Sequence, residues 1–171
     1  MDEHDRVIYV GTFSKVTFPS LRLGYIVIPA DLVKRFAAMR QSMDICPAHI
    51  PQAVMLDFMR QGHFARHLRR MRPVYAERRA LLVMQLQRSF GDHARILGDE
   101  AGMHLALIPA KLRNDRSVAA RAAKESLWLS PLSASYVGNR LRNGFVLGFG
   151  NTRANQIGGA VRQLEALCQK S

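Results

Sequence analysis

Short apolar runs rich in β-branched residues alternate along this chain with longer segments whose apolar residues recur every three or four positions. That alternation restricts the fold more than any other feature. A strand that is apolar on both sides has to be covered on both faces, and an amphipathic helix offers one apolar stripe to do the covering, so the two kinds of segment must pack in layers. The strand candidates are "RVIYVGT" (6–12), "GYIVIP" (24–29), "MHLALIPA" (103–110, ended by Pro109) and "FVLGFG" (145–150). Between them, "ADLVKRFAAMRQSM" (30–43) predicts a helix with Leu32, Phe36, Met39 and Met43 on one side, and "QAVMLDFMRQG" (52–62) a second one after the break at "CPAHIP". Residues 89–102 predict a turn-rich connection, residues 114–126 a polar helix followed by the short apolar "LWL", and residues 154–170 a closing helix with Ile157, Val161, Leu164 and Leu167 inward. The order of elements predicts an α/β or α+β architecture with a boundary near residue 62.

The stretch "RQGHFARHLRRMRPVYAERRALL" (60–82) holds seven arginines, two histidines and one glutamate, and accounts for much of the net charge of +12. Such a run invites a nucleic-acid reading. Phe64, Leu68, Met71, Tyr75 and Leu82 recur in it at helical spacing, however, so one face belongs to a core and the arginines form the wet or interface face. It lacks the interleaved aromatic and glycine residues of an RNA-binding surface, and the chain has no helix-turn-helix or zinc-finger pattern. Pro73 predicts a kink or a break in this helix.

Cys46 and Cys168 are the only cysteines and have no metal-ligand spacing, which points away from a disulfide framework or a zinc site and towards a reducing cytoplasm. No apolar run approaches the ~20 residues of a membrane span, and the N-terminus does not read as a basic-then-apolar leader. The expectation is a cytoplasmic protein that needs no metal and no membrane.

One segment carries chemistry. "GTFSKVTFPSLRLGY" (11–25) sets Lys15 among small hydroxyl residues, with Arg22 seven positions later. A lysine amine is inert while protonated, but beside other cations or in an apolar pocket its pKa falls and it can condense with an aldehyde. Gly11, Thr12 and Ser14 can bring hydroxyls and backbone N–H groups to an anion, and the planar Arg22 guanidinium suits a phosphate. Aldehyde and phosphate are the two handles of pyridoxal phosphate. Taken alone, Ser14-Lys15 reads first as an ordinary surface turn, with Lys15 a loop lysine and Arg22 a solvated charge.

The wider sequence adds to this. "RVIYVGTFSKVTFPSLRLGYIVIP", "GHFARHLRRMRPVYAERRALL", "AGMHLALIP", "LSPLSASY" and "NGFVLGFGN" resemble, in that order, the aminotransferase-like domain of the MocR branch of GntR-type transcription regulators, a domain of the class I/II, fold-type I pyridoxal-phosphate group. The resemblance implies pyridoxal 5'-phosphate as cofactor, Lys15 as its Schiff-base lysine, and Thr12, Ser14 and Arg22 as its phosphate contacts. It implies that residues 1–62 are the end of the large cofactor-binding domain and residues 63–171 the C-terminal small domain, led by the arginine-rich helix. It also implies that the chain is the C-terminal part of a longer architecture, homodimeric at full length, whose DNA contacts are made through an N-terminal domain that this chain lacks. Only fourteen residues precede Lys15, so the family's acidic partner of the pyridine nitrogen falls upstream, and Asp2, Glu3 and Asp5 are not assigned that role.

Amino-acid aminotransferases of this kind commonly carry a carboxylate-clamping arginine where this chain has Val146, with Arg142 and Arg153 as loop neighbours that read as solvated. His104 and Tyr136 read first as structural residues. Two functions are expected from the resemblance. One is a module in which pyridoxal phosphate, with or without a small-molecule amine or amino-acid effector, shifts a conformational equilibrium. The other is an aminotransferase moving an amino group between an amino acid and a 2-oxo acid, and the resemblance implies that this chain alone is not active in that reaction.

Overall fold

The computed structural model describes residues 4–17, 19–44, 47–98, 100, 102–138 and 142–170. They separate into two compact units, residues 1–69 and 70–171. In the first, β1 (Tyr9–Thr12) and β2 (Gly24–Val27) form an antiparallel hairpin, followed by helices α1 (Val33–Met43) and α2 (His49–Arg60) and the opening turns of α3 (His63–Phe90). Tyr9 lies opposite Val27 and Thr12 opposite Gly24. The strands approach closely at Gly24, where a Cβ would stand 2.8 Å from the Gly11 carbonyl oxygen. Only glycine fits there without moving backbone.

Aromatic rings hold this unit together. Phe13 lies 5.3 Å from Tyr25 and 5.9 Å, edge to face, from Phe64, which in turn meets Phe58 of α2. Such offset and T-shaped pairs add roughly 0.5–1.5 kcal/mol each to the area they bury. Met55 alone among the described hydrophobic side chains of the unit is buried, while Val10, Met39, Met43 and Ile50 are largely exposed. The α1 stripe of Leu32, Phe36, Met39 and Met43 is thus present as a pattern, but Met43 is 77% exposed. Helix α2 begins at His49, earlier than the sequence predicts, because Pro51 falls in the first turn, where its missing N–H has no helical acceptor to lose.

The second unit contains the rest of α3, then β3 (Ala94–Leu97), β4 (His104–Pro109), α4 (Asp115–Lys124), β5 (Ser130–Pro131), β6 (Phe145–Gly148) and α5 (Ala154–Gln169). Its antiparallel sheet runs β3-β4-β6-β5, with Ala94 opposite Pro109, Leu107 opposite Phe145 and Ser130 opposite Val146. Alternate residues of β4, Leu105 and Leu107, point into one core with Phe145. Leu82, Leu86 and Phe90 of α3, Val118 and Ala122 of α4, and Ile157, Val161, Leu164 and Leu167 of α5 close it. Phe145, Leu86 and Leu107 are fully buried, and each contributes about 1.5–3 kcal/mol relative to exposure.

Two expectations need adjusting. Of the kink or break expected at Pro73, the break does not occur, and helix α3 runs unbroken from His63 to Phe90. The proline leaves the Arg69 carbonyl without its i+4 donor, yet it is exposed, so water can serve that carbonyl while the long apolar stripe beyond it anchors the helix. The turn-rich stretch 89–102 holds a 3-10 turn (Gly91–His93) and an edge strand, β3, that exists through its pairing with β4.

Candidate functional site

The β1–β2 hairpin carries the lysine loop. Its ladder extends one step past the strands, the Phe13 N–H donating to the Leu23 carbonyl at 3.0 Å, so Ser14 and Arg22 are the next pair along that register. The loop then turns on itself, with the N–H groups of Val16 and Thr17 donating to the Phe13 carbonyl at 3.1 and 2.9 Å and the Thr17 hydroxyl to the same oxygen at 2.8 Å. Lys15 sits at the crest of that turn and is exposed.

Thr12 organises the entry. Its Oγ1 accepts from the Ser14 N–H at 3.2 Å and donates to the Leu23 carbonyl across the hairpin at 3.4 Å, a long and weak bond. The Ser14 hydroxyl, the Lys15 amine and the Arg22 guanidinium have no side-chain partner among the described residues. Arg22 adopts φ +46°, in the left-handed region, at a cost of about 1–2 kcal/mol for a residue with a Cβ. Strain of this kind clusters at ligand clamps and persists only where the surroundings impose it. Below the loop, His67 of α3 donates through Nε2 to the Val16 carbonyl at 2.8 Å, which fixes the backbone beside Lys15. Sequence reading had assigned His67 no role, since its partner at Val16 lies 51 residues away.

Thr12, Ser14, Lys15 and Arg22 therefore share one loop mouth. The other residues considered from sequence belong to the second unit. His104 opens β4 and is exposed; Tyr136 is exposed after β5; Val146 is half-buried in β6 beside Ala106 and Ser130; Arg142 and Arg153 are exposed. Arg153 opens α5, its backbone N–H bonded to the Gln156 side chain at 3.3 Å. Asp2, Glu3 and Cys46 lie outside the described residues. Among the described residues, no group of His, Cys, Asp and Glu could hold a metal ion, and no helix is long and apolar enough to cross a membrane.

Sequence reading also passed over Asp115 at the start of α4, which is 1% exposed. Its carboxylate accepts the Ser133 hydroxyl at 2.6 Å, the Ser133 N–H at 2.8 Å and the Gly144 N–H at 3.1 Å. Burial alone pushes this carboxyl up, but these bonds outweigh it and hold the group below the usual carboxylate range. The contacts secure the chain just before β6, where a Cβ on Gly144 would stand 2.5 Å from the Leu107 carbonyl oxygen.

The mixed helices and antiparallel strands described above agree with what similarity to known proteins shows. The family model for aminotransferase class I and II matches residues 1–146. The chain belongs to this family. It is 37% identical over 149 residues to the probable rhizopine catabolism regulatory protein MocR of Rhizobium meliloti, and 30% identical over 166 residues to the HTH-type transcriptional regulator YdeL of Bacillus subtilis. These matches take in 87% and 97% of this chain but 30% and 36% of the two regulators, so the chain spans about a third of the relatives' length. In fold, it resembles the multiple substrate aminotransferase of Thermococcus profundus, with a TM-score of 0.87 at 24% identity over 99% of this chain and 42% of the enzyme. The fold is that of the fold-type I group, covered in part.

Proposed function

We propose that the chain is the pyridoxal-phosphate-binding, effector-sensing portion of a MocR-type regulator of the GntR family. The observation that carries this reading is the loop mouth itself: an exposed amine, a hydroxyl and a strained arginine, all unengaged among the described residues, on the hairpin of a chain whose relatives include transcription regulators. The donor set fits the cofactor. Ser14 Oγ and the Arg22 guanidinium would hold its phosphate, joined by Thr12 Oγ1 once the weak bond to Leu23 is exchanged, and Lys15 Nζ would hold its aldehyde carbon.

When bound, pyridoxal phosphate supplies an aldehyde that condenses with primary amines and a ring that withdraws electrons from the carbon beside the nitrogen. The chain's own part is binding and proton handling. Arg22 and Ser14 would anchor the anion, His67 keeps the turn rigid through Val16, and Lys15, with its amine free, could accept or return a proton at Nζ. The effector in this reading is a small amine or amino acid. A two-state shift of the aminotransferase-like domain would pass the signal to DNA through an N-terminal domain, within a cytoplasmic homodimer.

The test is direct. Adding pyridoxal phosphate should raise a protonated-imine band at the edge of the visible range, and borohydride should fix the label on the peptide carrying Lys15. Addition of an effector amine should shift that band without producing a 2-oxo acid. Label on Lys34 or Lys111 instead would remove the reading, and measurable amino-group transfer would replace it with the aminotransferase alternative.

A further inference from the structure

The second unit contains a cavity of about 390 Å³ where the C-terminal ends of α3 and α5 meet the turn after β4. This volume lies within the range of about 300–1,000 Å³ typical of small-molecule sites. Its apolar lining comes from Phe90, Pro109 and Leu112, all buried. The charged groups around that lining are segregated. His93 and Lys111 stand together on the sheet side, because the Ala110 N–H donates to the His93 carbonyl at 2.8 Å and so clamps the two turns side by side. Glu165 stands on the α5 side, with Gln169 one turn later donating to its Oε1 at 3.3 Å.

Neither the Lys111 amine nor the His93 ring has a side-chain hydrogen bond or ion pair among the described residues, and both are exposed. Both line the cavity beside its apolar residues, where they can donate to an anion. On the α5 side Glu165 supplies a carboxylate, while the end of that helix is already capped by Arg121, which donates to the Leu167 and Lys170 carbonyls at 2.9 and 3.3 Å. Cys168 adds no charge, since burial above all pushes its thiol up to about 11. A ligand that satisfies both sides must carry an anion and a cation together with an apolar part.

We propose that this cavity binds a small zwitterion, an aliphatic amino acid, with its carboxylate on Lys111 and His93, its ammonium on Glu165 and its side chain over Phe90, Pro109 and Leu112. The site is independent of the lysine loop. A charge-assisted hydrogen bond at each end should make each charged group worth about ten- to a hundredfold in affinity.

The experiment is an amide NMR titration of the full chain with L-leucine in the absence of pyridoxal phosphate, alongside 3-methylbutylamine and 4-methylpentanoate, which lack the carboxylate and the ammonium respectively. Saturable shifts confined to residues around 89–93, 109–112 and 165–169 are expected, with leucine at least tenfold tighter than either analogue. Lys111→Gln and Glu165→Gln should each weaken leucine by about tenfold or more while leaving the rest of the spectrum in place. Absence of saturable shifts at these residues, equal affinity for an analogue, or unchanged leucine binding in both variants would overturn the proposal.

Discussion

Asp115 is where a single substitution should have the largest structural consequence. In Asp115→Ala the Ser133 and Gly144 N–H groups lose their acceptor, and both residues are buried, so neither donor gains water in exchange. Each orphaned donor costs about 1–3 kcal/mol, partly offset because a buried carboxylate no longer has to be desolvated. The net loss should be about 3–5 kcal/mol, within the range reserved for broken buried networks. Asp115→Asn keeps one acceptor oxygen but turns an NH2 towards other donors, and should lose roughly half as much.

Urea denaturation followed by far-UV circular dichroism reads this directly. With a slope of about 2 kcal/mol/M, the alanine variant should unfold at a urea concentration lower by roughly 2 M. The pH dependence gives a second check with a fixed sign. Because the folded state holds this carboxyl below its unfolded value, its contribution is complete above the usual carboxylate range near pH 4 and disappears as pH falls through the folded pKa. The gap between wild type and Asp115→Asn should therefore narrow on acidification from pH 6 to pH 3. Both variants unfolding within about 0.5 kcal/mol of wild type, or a gap that widens in acid, would refute the reasoning.

Three other outcomes follow from particular residues. Arg22→Ala and Arg22→Gly should each weaken pyridoxal phosphate by about ten- to a hundredfold in absorbance titrations, while the glycine variant, free of the left-handed strain, should be about 1 kcal/mol more stable than the alanine one; wild-type affinity in either would place the phosphate elsewhere. Pro73→Ala restores a donor for the Arg69 carbonyl, so thermal denaturation should show a gain of roughly 1–2 kcal/mol, the helical preference less the lost rigidity of the unfolded chain, and no gain would mean that the helix already accommodates the proline at no cost. Hydrogen exchange should be slower at Leu107 and Phe145 than at Val10 and Ile26, since the former sit in a closed core and the latter are over half exposed; equal protection of the two sets would contradict the burial described.

What the sequence disclosed and what it withheld divide along a physical line. The closing helix was legible to within one residue, because Ile157, Val161, Leu164 and Leu167 form one stripe and all four are buried. The lysine loop was legible because its parts lie within one hairpin, where sequence distance and spatial distance nearly coincide. Asp115 was not, since its partners at 133 and 144 are brought to it by the packing of α4 against the β5–β6 region, and no local pattern marks an aspartate for such a role. Strand β3 was hidden for the same reason: four residues between turns have no strand character until β4 supplies a ladder. Helix α1 shows the limit from the other side. Its apolar stripe was read correctly as a pattern, yet Met39 and Met43 are exposed in the structure. Periodicity states that a face has something to gain from being covered, and the identity of the cover is a tertiary fact that no spacing within the helix encodes.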